Sequence, residues 1–100
     1  MKTFSVVIME KERLIITTLG ADKPGIVAGV SQILSENNVN IEDISQTILQ
    51  GNFAMIMIVD ITDSKLPFKE LKEQLDEKAE EIGVKILAQH EDLFRSMHRI

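Results

Sequence analysis

The stretch LGADKPGIVAGV, from Leu19 to Val30, contains the strongest structural signal in the sequence. An apolar run ends, a short segment with two glycines and a proline follows, and apolar residues at helical spacing begin at Ile26. Gly20 and Gly25 permit backbone angles that a Cβ atom would forbid, while Pro24 fixes φ and lacks an N–H group. The pattern predicts a strand, a tight loop and a helix in immediate succession.

On either side of this loop the residue types agree with that order. LIITTL (14–19) is rich in β-branched residues and predicts a central strand. After the loop, five apolar residues at helical spacing form one stripe: Ile26, Val27, Val30, Ile33 and Leu34. Asn37 and Asn38 are suited to end this helix, because Asn tolerates the left-handed conformation.

NIEDISQTIL (40–49) and FAMIMIVDI (53–61) predict two more strands, joined by a hairpin at QGN (50–52). Ile41 and Ile44 are three residues apart and would fall on opposite faces of a regular strand. A bulge or bend near Glu42–Asp43 would reconcile them. In the return strand, Phe53, Met55, Met57 and Val59 share one face, and Ala54, Ile56 and Ile58 share the other.

The last third of the sequence predicts a second helix and a final strand. Asp63 or Ser64 can cap the helix, Pro67 suits its first turn and Gly83 suits its end. VKILAQH (84–90) is the strand. FSVVIM (4–9) predicts an extra N-terminal strand, and EDLFRSMHRI (91–100) predicts a short C-terminal helix.

The order β-α-β-β-α-β predicts an α+β, ferredoxin-like fold in one domain, residues 1–100, with its core at about 12–90. Its four-stranded antiparallel sheet carries two helices on one face. The other face should be polar, yet FAMIMIV is apolar on both faces. A second copy of the chain, residues 4–9 or the C-terminal helix could cover it. We expect self-association as a homodimer or larger assembly.

Composition narrows the range of partners. The 100 residues carry a net charge of −5 and contain no Trp, Tyr or Cys. A nucleic acid or an anionic membrane requires a basic surface, so neither is an expected partner. Disulfides and thiolate metal sites are excluded. The N-terminal segment lacks the pattern of a signal peptide and is too short to span a membrane, so a cytoplasmic location is expected.

The segment GADKPGIVAGVSQILSENNVNIEDISQ resembles the ACT domain, a small regulatory module that typically binds amino acids. The matching elements are Gly20, Asp22, Gly25 and the pair Asn40–Ile41, and the resemblance covers roughly residues 12–90. DKPGIVAGVS together with NIEDISQT is more similar still to the single-domain ACT proteins of bacteria and archaea, which in turn resemble the ACT domains of glycine-cleavage regulators and of formyltetrahydrofolate deformylase. Two departures are the segment at 4–9 and the lack of an attached catalytic or DNA-binding domain. The protein that it regulates would therefore be a separate chain.

The loop offers both polar contacts that an α-amino acid needs. Backbone N–H groups at the start of the helix, together with its dipole, can hold a carboxylate. The Asp22 side chain can hold an ammonium group. The candidate loop residues are Gly20, Ala21, Asp22, Lys23, Pro24, Gly25, Ile26 and Val27. The resemblance implies that a dimer mate supplies the facing wall, which would here be Asn40, Ile41, Glu42, Asp43 and Ile44.

Structural alternatives remain open for the same residues. Asp22 could cap the helix or form a turn. Gly25 could allow close packing of the helix on a strand, and Asn40 could simply end a loop. Glu42 and Asp43 could be solvated; they offer too few oxygen ligands for a hard cation, and no cofactor is expected.

Three other functions are possible for this fold. One is an interaction module that binds no ligand. An acylphosphatase would need an Arg in the first loop, where this chain has only Lys23, which lacks the bidentate fork. An RNA-recognition fold would need aromatic residues on its strands, and these are missing. Amino acid sensing remains the first hypothesis.

Overall fold

The computed structural model describes residues 11–92, which form four strands and two helices in the order β1–α1–β2–β3–α2–β4. Their bounds are Arg13–Ala21 (β1), Ile26–Glu36 (α1), Asn40–Leu49 (β2), Asn52–Asp60 (β3), Phe68–Ile82 (α2) and Lys85–His90 (β4). The predicted α+β, ferredoxin-like fold is confirmed. The expected strand at 4–9 lies outside the described residues. Of the expected C-terminal helix at 91–100, only residues 91 and 92 are described.

The strands form one antiparallel sheet in the order β2-β3-β1-β4, so β1 and β3 are central and β2 and β4 are edges. The predicted irregularity in β2 is confirmed. Ile41 pairs with Val59 and Asp43 pairs with Ile58, which leaves Glu42 as the extra residue of a β-bulge. The hairpin is also confirmed, because Gln50 and Gly51 both have positive φ, as a two-residue type I′ turn requires.

Both helices pack on one face of this sheet. β1 and β3 direct alternate side chains toward the helices, and the helices contribute apolar residues at three- and four-residue spacing. Burying each large side chain fully stabilises the fold by about 1.5–3 kcal/mol. The fully buried large residues are Leu14, Ile16, Ile26, Leu34, Met55, Met57, Leu71, Leu75, Val30 and Val59.

The other face of the sheet is apolar as well, as the pattern of β3 predicts. Ile56 of β3 is 44% exposed and Leu87 of β4 is 53% exposed, whereas Ile15 on the same face is 4% exposed. All ten residues of the edge strand β2 are exposed. The protomer therefore has two apolar surfaces that its helices do not cover.

The helix ends agree with the prediction at three positions and differ at the start of α2. Asn37 and Asn38 end α1, and Gly83 ends α2 with φ +85°. Neither Asp63 nor Ser64 caps α2; the helix begins at Phe68, and Pro67 stands just before it rather than in its first turn. The residue before a proline is disfavoured in helical conformation, which delays the start of the helix.

Candidate functional site

The backbone of the β1–α1 loop depends on glycine at its last residue. Gly25 has φ +92°, which L side chains rarely adopt, and a Cβ atom built on it would have no heavy atom within 4 Å. Close packing against a strand is therefore not the reason for this glycine, and that alternative is wrong. Gly25 is needed because the chain must turn through a left-handed conformation to enter α1.

The N-terminus of α1 has no side-chain cap and no acidic residue in its first turn. The first helical hydrogen bond runs from the Gly29 N–H to the Gly25 carbonyl, at 2.9 Å. The N–H groups of Ile26, Val27 and Ala28 consequently have no acceptor within the helix. Ile26 is buried in the core, while Val27 is exposed beside these donors.

Asp22 does not cap α1, so that alternative is wrong as well. Its backbone N–H donates to the carbonyl of Gly51 in the β2–β3 hairpin, at 2.8 Å. Its carboxylate is exposed and accepts no hydrogen bond from residues 11–92. The loop thus presents free N–H donors and a free carboxylate on one short segment, held against the hairpin.

Two contacts fix the loop on its other side. A Cβ atom on Gly20 would lie 2.9 Å from Cγ1 of Val84, so the strand and the α2–β4 connection approach closely at this point. The Lys23 ammonium donates to the carbonyl of Ile82, the last residue of α2, at 2.9 Å. Sequence reasoning placed Lys23 among the ligand-binding residues, but its charge is directed to the end of α2.

The second set of candidate residues, Asn40–Ile44, lies at the opposite end of the sheet. Asn40 is the first residue of β2 and pairs with Asp60, which pairs in turn with Arg13 at the start of β1. The loop follows Ala21, eight residues further along β1. At about 3.3 Å per residue, Asn40 and Ala21 are offset by about 26 Å along the strands, and Ile44, which is in register with Ile16, is offset by about 13 Å from Gly20. A single chain therefore does not bring them together.

Glu42 and Asp43 are already engaged at the bulge. The Glu42 carboxylate contacts Lys11 Nζ at 3.1 Å and Arg13 Nε at 2.7 Å. The hydrogen bonds from Arg13 and Lys11 lower the pKa of Glu42, and Glu42 in turn raises the pKa of Arg13. Asp43 Oδ1 accepts from the Ile44 N–H at 2.9 Å. Glu42 is therefore not a free acceptor for a ligand ammonium group.

Sequence reasoning did not find Lys11 and Arg13, because their pairing with Glu42 depends on the order of the strands. A concavity of about 380 Å³ lies beside them, and its walls are polar and largely paired; His90 Nε2, for example, is 2.9 Å from Glu12 Oε2. It is lined by Lys11, Glu12, Arg13, Thr62, His90, Glu91 and Asp92. This concavity is at the far end of the sheet from the β1–α1 loop.

Two other kinds of site find no support in the part of the chain that the structure describes. Within residues 11–92, no three His, Asp or Glu side chains are grouped so that they could bind a metal ion. Neither helix there has the length and apolarity that a membrane crossing requires. The exposed, unpaired polar groups of the β1–α1 loop make it the candidate site.

This fold is that of the ACT domain, and the family model for that domain matches residues 12–89. The chain belongs to the ACT domain family, whose members are generally regulatory modules that bind small molecules. The resemblance seen in the sequence is thereby confirmed.

Two similar proteins have nearly the same length as this chain, and a third is longer. A UPF0237 protein of Methanopyrus kandleri is 51% identical over 88 residues, which are 88% of this chain and 98% of that protein. An ACT domain protein from Streptococcus pneumoniae has a similar structure, with a TM-score of 0.74 and 40% identity, covering 85% of this chain and 96% of that one. The regulatory subunit of aspartate kinase from Thermus thermophilus matches with a TM-score of 0.62 and 26% identity, covering 78% of this chain and 51% of that one.

Proposed function

We propose that this chain is an amino-acid sensor that acts as a homodimer, with each ligand site shared between two protomers. The observation that supports this most directly is the uncapped N-terminus of α1 next to the exposed carboxylate of Asp22. Three N–H groups and the positive end of the helix dipole receive the ligand carboxylate. Asp22 receives the ligand ammonium group. Lys23 makes no contact with the ligand, because its charge is directed to Ile82.

The exposed edge of β2 supports the dimer. A ten-residue edge strand with free backbone groups invites pairing with another strand. Its exposed large hydrophobic residues would lose water contact in such a pairing, and these are Ile41, Ile44, Ile48 and Leu49. Glu42 is neutralised by Lys11 and Arg13, so two edges can approach without repulsion between their bulges.

A two-fold axis between two antiparallel β2 edges brings the separated site halves together. The Asn40 end of one β2 then lies beside the Leu49 end of the other, close to the partner's hairpin. Gly51 in that hairpin accepts the hydrogen bond from Asp22, so the ligand loop is adjacent. Each dimer has two equivalent sites, each with a loop from one protomer and residues 40–44 from the other.

The ligand's effect passes to a separate regulated protein, which we place with this chain in the cytoplasm. The net charge of −5 favours a protein partner over a nucleic acid or an anionic membrane. Occupancy of the site changes the affinity of the dimer for that partner, and the partner changes the affinity for the amino acid by the same factor.

The test is thermal unfolding of the dimer with each of the twenty amino acids at millimolar concentration. A ligand present at a hundred times its dissociation constant adds about 2.7 kcal/mol to the free energy of unfolding. We expect one or a few amino acids to raise the midpoint and the others to leave it unchanged. A dimer that none of them stabilises is instead an interaction module without an amino acid ligand.

Gly25→Val identifies the site, because a β-branched residue cannot hold the conformation that the loop needs. The matched control is Leu71→Ala, which removes a fully buried side chain from the first turn of α2 and destabilises the core without touching the loop or the hairpin. We expect both variants to lose stability without ligand, but only Gly25→Val to lose the ligand-induced shift. A shift retained in Gly25→Val would place the ligand elsewhere.

A further inference from the structure

We propose, on the basis of the function above, that Lys23 is a positioning residue. It holds the β1–α1 loop in its binding shape by bonding to the C-terminus of α2, and so couples the site to the α2–β4 connection. The contact that supports this inference is the 2.9 Å hydrogen bond from Lys23 Nζ to the Ile82 carbonyl, which joins residues 59 positions apart.

The end of α2 is favourable for a cation from outside the helix. The last carbonyls of a helix lack partners within it and carry partial negative charge. The last turn of α2 contains Glu80 and Glu81 and no basic residue; Lys78, one turn earlier, pairs with Glu81 at 3.2 Å, so the charge of Glu80 still adds to the unfavourable potential. Lys23 supplies both a donor and a positive charge at Ile82.

Gly83 leaves the space that the Lys23 ammonium occupies. A Cβ atom on Gly83 would lie 2.9 Å from Lys23 Nζ. Gly83 also ends α2 with φ +85°, and its N–H donates to the Ala79 carbonyl at 2.8 Å. The glycine therefore serves the helix end and the lysine contact together.

Residues 82–84 contact the loop and the elements on both sides of it. Val84 packs against Gly20 at the end of β1, and Ile82 packs so closely on Gly29 of α1 that a Cβ there would lie 2.6 Å from Ile82 Cδ1. With the lysine contact, one three-residue segment touches strand, loop and helix. A ligand that orders the loop must then also order this segment, and the effect is reciprocal.

Amide hydrogen exchange on the full chain without ligand tests the inference. Two amides report on the loop: the Asp22 N–H, which donates to the Gly51 carbonyl, and the Gly29 N–H, which donates to the Gly25 carbonyl. Two more report on the end of α2: the N–H groups of Gly83 and Val84, which both donate to the Ala79 carbonyl. In Lys23→Met we expect all four amides to exchange about two- to fivefold faster, the range for a charge near a helix C-terminus.

Lys23→Arg should restore slow exchange, because it keeps the charge and a donor. Lys72→Met, which removes an exposed lysine paired with Asp76 on α2, should leave the four amides unchanged.

Three results would overturn the inference. The first is faster exchange of the Gly83 and Val84 amides with no change at Asp22 and Gly29, because Lys23 would then act only as a cap of α2. The others are equally faster exchange of all amides in the chain, and equally faster exchange in Lys23→Met and Lys23→Arg. Because no ligand is present, this outcome is independent of the amino acid screen. A failed screen with loop amides that depend on Lys23 would refute the proposed function and leave the positioning role intact.

Discussion

Arg13 and Glu42 form an ion pair across an intervening strand, with Arg13 Nε 2.7 Å from Glu42 Oε1. Arg13 begins β1 and Glu42 is the bulged residue of β2, while β3 lies between those two strands. The bulge redirects the Glu42 side chain so that it can reach over β3. The edge strand is thereby tied to the centre of the sheet by its side chains as well as by its ladder with β3.

This ion pair predicts a pH dependence of stability. Arg13 and Lys11 hold the pKa of Glu42 below the ordinary carboxyl value of 4.5, so the unfolded chain binds the proton more readily. The stabilisation is complete above that ordinary value and is lost as the pH falls through the lower pKa of the folded state. Glu42→Gln should therefore be less stable than the wild type at pH 7, and the difference in stability should shrink as the pH falls toward about 3.

Urea unfolding at several pH values measures this difference. The control is Glu73→Gln, an exposed glutamate on α2, for which the two proteins should differ little at any pH. Asp60 retains its own acid sensitivity in both proteins, since hydrogen bonds from Thr62 lower its pKa. A Glu42→Gln effect that is the same at pH 7 and pH 3 would contradict the role given to the ion pair.

Thr18 predicts a stabilising substitution. It is fully buried on the helix-facing side of β1, and its hydroxyl is the one buried side-chain polar atom without a hydrogen-bond partner within residues 11–92. Thr18→Val keeps the shape and removes the unsatisfied group, so it should raise the free energy of unfolding by about 1 kcal/mol. Thr17→Val, on the opposite face, should change it by less than about 0.5 kcal/mol. A clear loss of stability in Thr18→Val would show that the hydroxyl has a partner.

Ile44 predicts how the protomers associate. It is an exposed apolar residue on β2, and a charge there would be buried or crowded if two β2 edges pair. Ile44→Lys should weaken the dimer by at least about tenfold and leave the fold of the protomer intact. The control is Leu87→Lys on β4, which is also exposed. Sedimentation equilibrium measures the monomer–dimer equilibrium of both variants. If only Leu87→Lys dissociates the dimer, the interface lies at the β4 edge or on the open face of the sheet instead.

Much of the fold could be predicted because its signals are local. The period of β3, the mismatch between Ile41 and Ile44 and the glycines beside short turns each indicate one element or one irregularity. The start of α2 was misplaced because the effect of Pro67 on Leu66 outweighs the capping preference of Asp63 or Ser64.

The candidate site could be predicted only in part. The special backbone of Gly25 could be predicted from residue type, because glycine favours a left-handed turn, whereas the ligand-binding role of Gly25 and Asp22 stays a prediction. The hydrogen bonds from Lys23 to Ile82 and from Arg13 to Glu42 could not be predicted, because each joins residues far apart in the chain. The distance between the loop and Asn40 also depends on strand order, which one strand's pattern does not contain.

The shared site is tested most directly by mixing two variants that are each defective in a different half. Gly25→Val damages the loop, and Asn40→Ala alters the facing wall. Each homodimer then has two damaged sites, whereas a mixed dimer has one site with an intact loop and an intact wall.

With the amino acid that stabilises the wild type, isothermal titration should detect no binding to either variant alone. After the subunits are exchanged in equal amounts, half of the dimers are mixed by random pairing, so binding should return at about one ligand per four protomers. Binding that stays absent after exchange, in dimers shown to be mixed, would contradict a site built from two protomers.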